Sequence, residues 1–112
     1  MGDFEQRGEE AIRFLKSCDI NEKTIVMSHH MPSTRCISEQ YYGDPLNMYF
    51  VSEKAESIIM DKKPMLWQYG HSHISANFIL GDTCLFCNPC GYFSVRRNSM
   101  NIEFNKNLII TV

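Results

Sequence analysis

"MLWQYGHSHIS", residues 65–75, carries an apolar run into a glycine and then presents two histidines separated by one serine. Upstream, "TIVMSHHMPS" at residues 24–33 follows the same plan, a short apolar run that ends in histidine. A nearly continuous apolar stretch of this length is the pattern of a strand covered on both faces. Residues 24–28 therefore predict a strand covered on both faces and residues 65–69 a second strand, with His29 directly after the first and Gly70-His71 directly after the second. In open α/β sheets the carboxyl ends of neighbouring strands form the crevice where ligands bind.

The segments around these two runs complete an α/β pattern. Phe4, Ala11, Ile12, Phe14 and Leu15 among charges predict an amphipathic helix over residues 4–17, ending near Cys18-Asp19. Residues 29–50 read as a long irregular stretch rich in Pro, Ser, Tyr, Gly and Asn. Ser52 is a good N-cap, with Glu56 near the capping-box position, for a second helix that ends near Lys62-Lys63 before Pro64. Residues 77–80 and 83–87 bracket Gly81-Asp82, a hairpin signal. Residues 100–104 and 108–112 bracket Asn105-Lys106-Asn107 and predict a second hairpin. Helix, strand, helix, strand and then paired strands describe an α/β domain, a mixed sheet with flanking helices.

Within that pattern the histidines acquire a direction. Residues i and i+2 of an extended segment project on one side, about 7 Å apart at Cα, so His71 and His73 are expected to face the same way. Gly70 lets the backbone approach closely. His30, next to His29 in an extended chain, points the other way and is read as a packing or supporting residue. His29, His71 and His73 are the candidate metal ligands.

Composition narrows the function classes. The chain has 112 residues, 44% hydrophobic and 21% charged, which fits one small domain or a piece of a larger one. Thirteen acidic against eleven basic side chains give a net charge of -2, so neither nucleic acid nor an anionic membrane is indicated as a partner. Arg96, Arg97 and Lys106 make only a local basic spot. No segment approaches the roughly 18 apolar residues that span a bilayer, and the first residues lack the pattern of a signal peptide. The expectation is a soluble, cytoplasmic protein.

The five cysteines agree with that compartment, the odd number favouring reduced thiols. Cys84, Cys87 and Cys90 have a C-x2-C-x2-C spacing. A zinc ribbon needs a second pair, which Cys18 and Cys36 do not supply, and an iron–sulfur cluster needs a fourth cysteine nearby. Alternation in "TCLFCNP" puts Cys84 and Phe86 on one strand face and Leu85 and Cys87 on the other, so small buried hydrophobes are the expected role.

Three stretches together resemble a known family. "TIVMSHHMPS" resembles the strand-then-histidine motif of the calcineurin-like metallophosphoesterases. "LWQYGHSHIS" resembles their Gly-His-x-His motif, and "CNPCGY" their Asn-Pro-x-Gly-Tyr. Order and separation agree, and the resemblance covers about residues 10–95. It implies a β-sandwich flanked by helices, with two divalent metals (manganese, iron or zinc) bridged by an aspartate. Those metals activate a water that attacks phosphorus. By position His29 and His71 match ligands of the second metal, and His73 a ligand of the first. Asn88 and Tyr92, in the third motif, are expected to support the metal loop. Arg35, six residues past His29, is a candidate phosphate-binding side chain, because guanidinium suits bidentate phosphate contact.

The family's upstream motifs are missing. Gly43-Asp44-Pro45-Leu46-Asn47 ends in asparagine where Gly-Asp-x-x-Asp needs aspartate, and it follows His29 rather than preceding it. Residues 2–6 and 81–85 also fail, and there is no Gly-Asn-His. The chain therefore reads as a single partial domain over residues 1–112, the C-terminal half of a metallophosphoesterase-type α/β sandwich. The expected function is the C-terminal portion of a metal-dependent phosphoester hydrolase, inactive alone and acting on a phosphoester when completed by an N-terminal half. Two other readings stand beside it: a non-catalytic remnant serving as an interaction module, and a small histidine metal-binding protein. Three imidazoles without carboxylates predict weak or partial metal binding. A half domain also predicts marginal stability and self-association.

Overall fold

A computed structural model describes residues 2–72, 74–89, 91–94, 97–100 and 103–111, with the backbone alone at 3–5 and in the last hairpin. Helix α1 spans Asp3–Ser17 and α2 spans Glu53–Lys62. Strands β1 (Ile25–Met27), β2 (Leu66–Gln68), β3 (Ala76–Leu80) and β4 (Thr83–Cys87) form one sheet, in the order β1-β2-β4-β3. A separate hairpin pairs β5 (Gly91–Ser94) with β6 (Arg97–Met100). The α/β class and the mixed sheet agree with the sequence: β1, β2 and β4 run parallel, and β3 returns antiparallel to β4 through Gly81-Asp82. Gly81 has φ +60°, the left-handed backbone such a turn requires.

Local chemistry explains both ends of α2. The Ser52 hydroxyl accepts from the Ala55 amide at 3.2 Å, satisfying a donor that has no partner inside the helix. At the other end Lys63 takes φ 53°, closing the last turn before Pro64. The Lys62 ammonium leaves its own helix and donates to the Lys16 and Cys18 carbonyls at 2.8 and 3.0 Å, at the C-terminal end of α1. A cation there complements the helix dipole and locks the two helices together.

The core lies on one face of the sheet. Val26, Trp67, Leu85 and Phe78 form a cross-strand row that packs with Ala55, Ile58 and Ile59 of α2, and with Ile12 and Leu15 of α1. The opposite face is uncovered at its edges, contrary to the expectation of a first strand buried on both sides. Met27 is 71% exposed, Ile79 60% and Ile25 47%. Among the described residues no layer packs against that side of β1, so its apolar run reflects a face left open.

The stretch expected to be irregular, residues 29–50, holds three 3-10 turns, at Thr34–Cys36, Glu39–Tyr41 and Pro45–Tyr49. Its base is zipped shut. The Met31 amide donates to the Phe50 carbonyl at 2.9 Å and the Ser52 amide to the Met31 carbonyl at 3.0 Å, giving an isolated bridge between Met31 and Val51.

The second hairpin is displaced from its expected position. Residues 97–100 pair with 91–94, and residues 103–111 carry no strand. The turn at Asn105-Lys106-Asn107 does form, closed by the Leu108 amide on the Asn105 carbonyl at 3.2 Å. The first residue of that turn is tied to the end of β4. Asn88 donates to the Asn105 carbonyl at 2.8 Å and accepts from its amide at 3.0 Å. Among the described residues no helix is long and apolar enough to cross a membrane.

Candidate functional site

The two histidine-bearing strands lie side by side, so His29 and His71 meet beyond their carboxyl ends. Their ring centroids are 5.7 Å apart and their planes are nearly perpendicular. Two contacts fix this meeting. The Gly70 amide donates to the His29 carbonyl at 2.9 Å, carrying the β1–β2 pairing past the strands. A Cβ on residue 70 would stand 3.2 Å from His29 Nδ1 and 3.4 Å from its carbonyl oxygen. Glycine spares the His29 ring a tight contact that would push it aside by a few tenths of an ångström.

His71 sits on a bent backbone rather than an extended one. Its φ of +64° lies in the left-handed region, which costs a residue with a Cβ about 1–2 kcal/mol. The Ser72 amide turns back to the Gly70 carbonyl at 2.7 Å. The same-side projection of residues 71 and 73 rested on extended backbone and does not hold at His71. His73 itself, like Cys90, lies outside the described residues. The His71 ring stacks on Phe50 with centroids 4.0 Å apart and planes 23° from parallel, a contact that holds the strained residue in place.

His30 is nearer to the pair than its extended-chain reading implies. Its ring lies 5.3 Å from that of His29 and 5.9 Å from that of His71. The chain bends after β1 because the Ser28 hydroxyl donates to the His30 carbonyl at 2.8 Å while accepting from the buried Trp67 indole at 2.9 Å. Burial lowers the His30 pKa first, and the neighbouring His29 lowers it further. His30 is thereby biased towards the neutral form.

His29 and His71 open onto a cleft of about 600 Å³ whose outer wall is the closed 31–50 loop. His30 lines a separate cleft of about 720 Å³ against α1, together with Arg7 and Lys54. Arg35 lines neither. Its guanidinium carbon lies 5.8 Å from the centre of the Phe78 ring, so its cation meets an aromatic face of β3. Asn88 ties down residue 105, as described above. Tyr92 lies on β5, where the backbone alone is described.

Cys36, Tyr69 and Cys87 form a buried polar cluster within the core. Burial pushes the Cys36 thiol up to about 11, against a smaller opposing effect of the Tyr69 hydroxyl. Tyr69 is raised by burial and then by the two thiols, and Cys87 by burial against its contact with Ser72. The Tyr69 hydroxyl lies buried against Cys36 without a well-made hydrogen bond.

Two imidazoles at adjacent strand ends suit one divalent ion as neighbouring donors. Among the described residues no carboxylate joins them as a metal-holding group, the Asp44 carboxylate lying on the loop wall of the same cleft. Among the described residues no three His, Cys, Asp or Glu side chains come together as a metal-holding group. Two contributors escape the sequence reading. Ser28 had a signal, a hydroxyl between an apolar run and a histidine with a tryptophan in the partner run that needs an acceptor. Phe50 had none, since it meets His71 only through the loop closure. No family model matches the chain, and curated proteins and solved structures likewise give no match.

Proposed function

We propose that this chain is the C-terminal portion of a metal-dependent phosphoester hydrolase, with His29 and His71 as two ligands of one divalent metal. The observation that carries the reading is their meeting at 5.7 Å, at the carboxyl ends of adjacent parallel strands and over a cleft. The resemblance of the three motifs to calcineurin-like metallophosphoesterases gives this geometry its chemical meaning. When bound, a metal pair of that type supplies an activated water for attack on phosphorus. This chain's own share is to hold and orient. Gly70 and Phe50 hold the two imidazoles in place. His73 is the further proposed ligand.

The exposed apolar residues at the sheet's two edges support the second element of the proposal, that an N-terminal half completes the sandwich. Ile25 and Met27 on β1 and Ile79 on β3 are exposed at opposite edges, and among the described residues β1 is an edge strand open to pairing. That half would bring the bridging aspartate, an asparagine ligand and a histidine. The same exposed residues would serve a non-catalytic interaction module, and metal binding separates the two readings.

The test is manganese-dependent release of product from an aryl phosphoester. Residues 1–112 alone should give none, because losing such groups costs several orders of magnitude in rate. Adding a half that carries Asp-x-His, Gly-Asp-x-x-Asp and Gly-Asn-His, fused or in trans, should create activity that His29→Ala or His71→Ala removes. Turnover by the chain alone would refute the partial-site reading. Metal affinity unchanged in His71→Ala would refute the ligand assignment.

A further inference from the structure

The cleft beside His29 and His71 sets apolar and aromatic surface beside polar groups. Ile37, Tyr41, Leu46 and Phe50 supply apolar and aromatic surface, and Tyr41 and Leu46 remain 49% and 58% exposed. Side chains that open to water in a concave wall are available to an apolar ligand. Of the polar members of the wall, Asn47 and Asp44 help to build it, while Gln40 stays exposed. Asn47 donates to the Tyr41 carbonyl at 2.8 Å, and Asp44 accepts from the Leu46 amide at 2.9 Å, so both brace the positions of Tyr41 and Leu46.

The distribution of cations is equally selective. Arg7 and Lys54 line the other cleft, Arg35 lies over Phe78, and among the described residues neither lysine nor arginine lines this one. The fixed ionic group on its wall is the Asp44 carboxylate. A second phosphate beside the metal position would meet a carboxylate and no guanidinium or ammonium, the donors on which polyphosphate recognition depends. An uncharged flat group would instead cover Tyr41 and Leu46. Ser38, also on the wall, keeps a buried hydroxyl with no hydrogen-bond partner among the described residues, which a polar atom on such a group would satisfy after a small shift.

We propose that this cleft receives the alcohol half of the phosphoester and selects an uncharged aromatic or similarly flat apolar group, against substrates with a second phosphate. This inference rests on the phosphoester hydrolase reading. The loop between Met31 and Val51, rather than the strands that carry the histidines, then sets specificity.

The experiment titrates the full chain, loaded with zinc, with phenylphosphonate, methylphosphonate and pyrophosphate, and follows binding by calorimetry. Phenylphosphonate should bind about tenfold or more tightly than methylphosphonate, the effect of burying a ring. The double variant Tyr41→Ser, Leu46→Ser should lose that preference while its zinc affinity stays unchanged. Both residues are exposed, so folding does not depend on them. Leu46→Arg should shift the preference towards pyrophosphate. Tighter binding of pyrophosphate by the parent chain, or a phenyl preference that survives the double variant, overturns the proposal. Zinc binding with equal affinity for all three anions overturns it alone, whereas absence of zinc binding overturns the hydrolase reading beneath it.

Discussion

The Gly70 amide donates to the His29 carbonyl at 2.9 Å, and the His29 imidazole lies so close that a side chain on residue 70 would press on it. One residue thus sets both the backbone and the ring of the first candidate ligand. In Gly70→Ala the new methyl would lie 3.2 Å from Nδ1, and the ring would have to move by a few tenths of an ångström. The expected result is about a tenfold loss of zinc affinity, with a stability loss of about 1–2 kcal/mol. Calorimetric zinc titration and urea unfolding measure the two. Unchanged zinc affinity would mean that the His29 ring position does not matter for the metal.

Ser28 links the two histidine strands, accepting from the Trp67 indole and donating to the His30 carbonyl. Ser28→Ala leaves a buried indole N–H unsatisfied and should cost about 1–3 kcal/mol. In a Trp67→Phe background the same change should cost clearly less, because the stranded donor is gone. A double-mutant cycle in denaturant reads this coupling. Equal costs in both backgrounds would show that the hydrogen bond contributes nothing to stability.

The fold was legible in the sequence wherever one local pattern was decisive. Apolar runs located β1, β2 and β4, Ser52 announced α2, and Gly81-Asp82 announced the β3–β4 hairpin. Misplaced features depended on partners distant in the chain. An apolar run such as 25–27 looks the same whether its second face is covered or bare, so the exposure of Met27 could not be read locally. The Asn105 turn was visible, but its tie to the Asn88 side chain was not. At the candidate site, His29 and His71 came from their strand-end positions. The bend that draws in His30 needed the Ser28–Trp67 contact, and the left-handed backbone of His71 contradicts the extended geometry assumed for it.

Alkaline pH should loosen the core. Cys36, Tyr69 and Cys87 all have pKa values raised in the fold, so the folded chain retains protons that the unfolded chain releases. For Cys36, with an ordinary value of 9.0 raised to about 11, the stabilisation is full below pH 9 and is lost as pH rises towards 11. Unfolding midpoints measured from pH 8 to 11 should fall, and Cys36→Ala should flatten part of that fall. The same burial should leave Cys36 and Cys87 slower than Cys18 to react with a thiol reagent at pH 8. A flat alkaline profile would count against the buried cluster.

Lys62 and Lys63 should respond in opposite directions. Lys62→Met removes the donor that caps the Lys16 and Cys18 carbonyls and should destabilise the chain by about 1 kcal/mol. Lys63→Gly relieves a left-handed residue and should stabilise it by up to about 1 kcal/mol. Its ion pair with Asp82, both partners well exposed, offsets little of that gain. Denaturant midpoints of the two variants should bracket the parent value.

Association should track the exposed apolar residues at the two edges of the sheet. Light scattering across a concentration series should show self-association of the parent chain, reduced in a Met27→Glu, Ile79→Lys variant with little loss of stability. Both positions are exposed, so the substitutions remove no core packing. A parent chain that stays monomeric at high concentration would show that those exposed residues are tolerated in water.

The bridge between Met31 and Val51 makes the intervening residues an excursion that departs from the fold and rejoins it at the same place. Lengthening such a closed loop adds only a logarithmic entropic cost, so its sequence and length can vary while the strands and their histidines stay put. Within this architecture the loop can be exchanged as a cassette up to Phe50, whose ring has to stay because it stacks on His71 at the strand end.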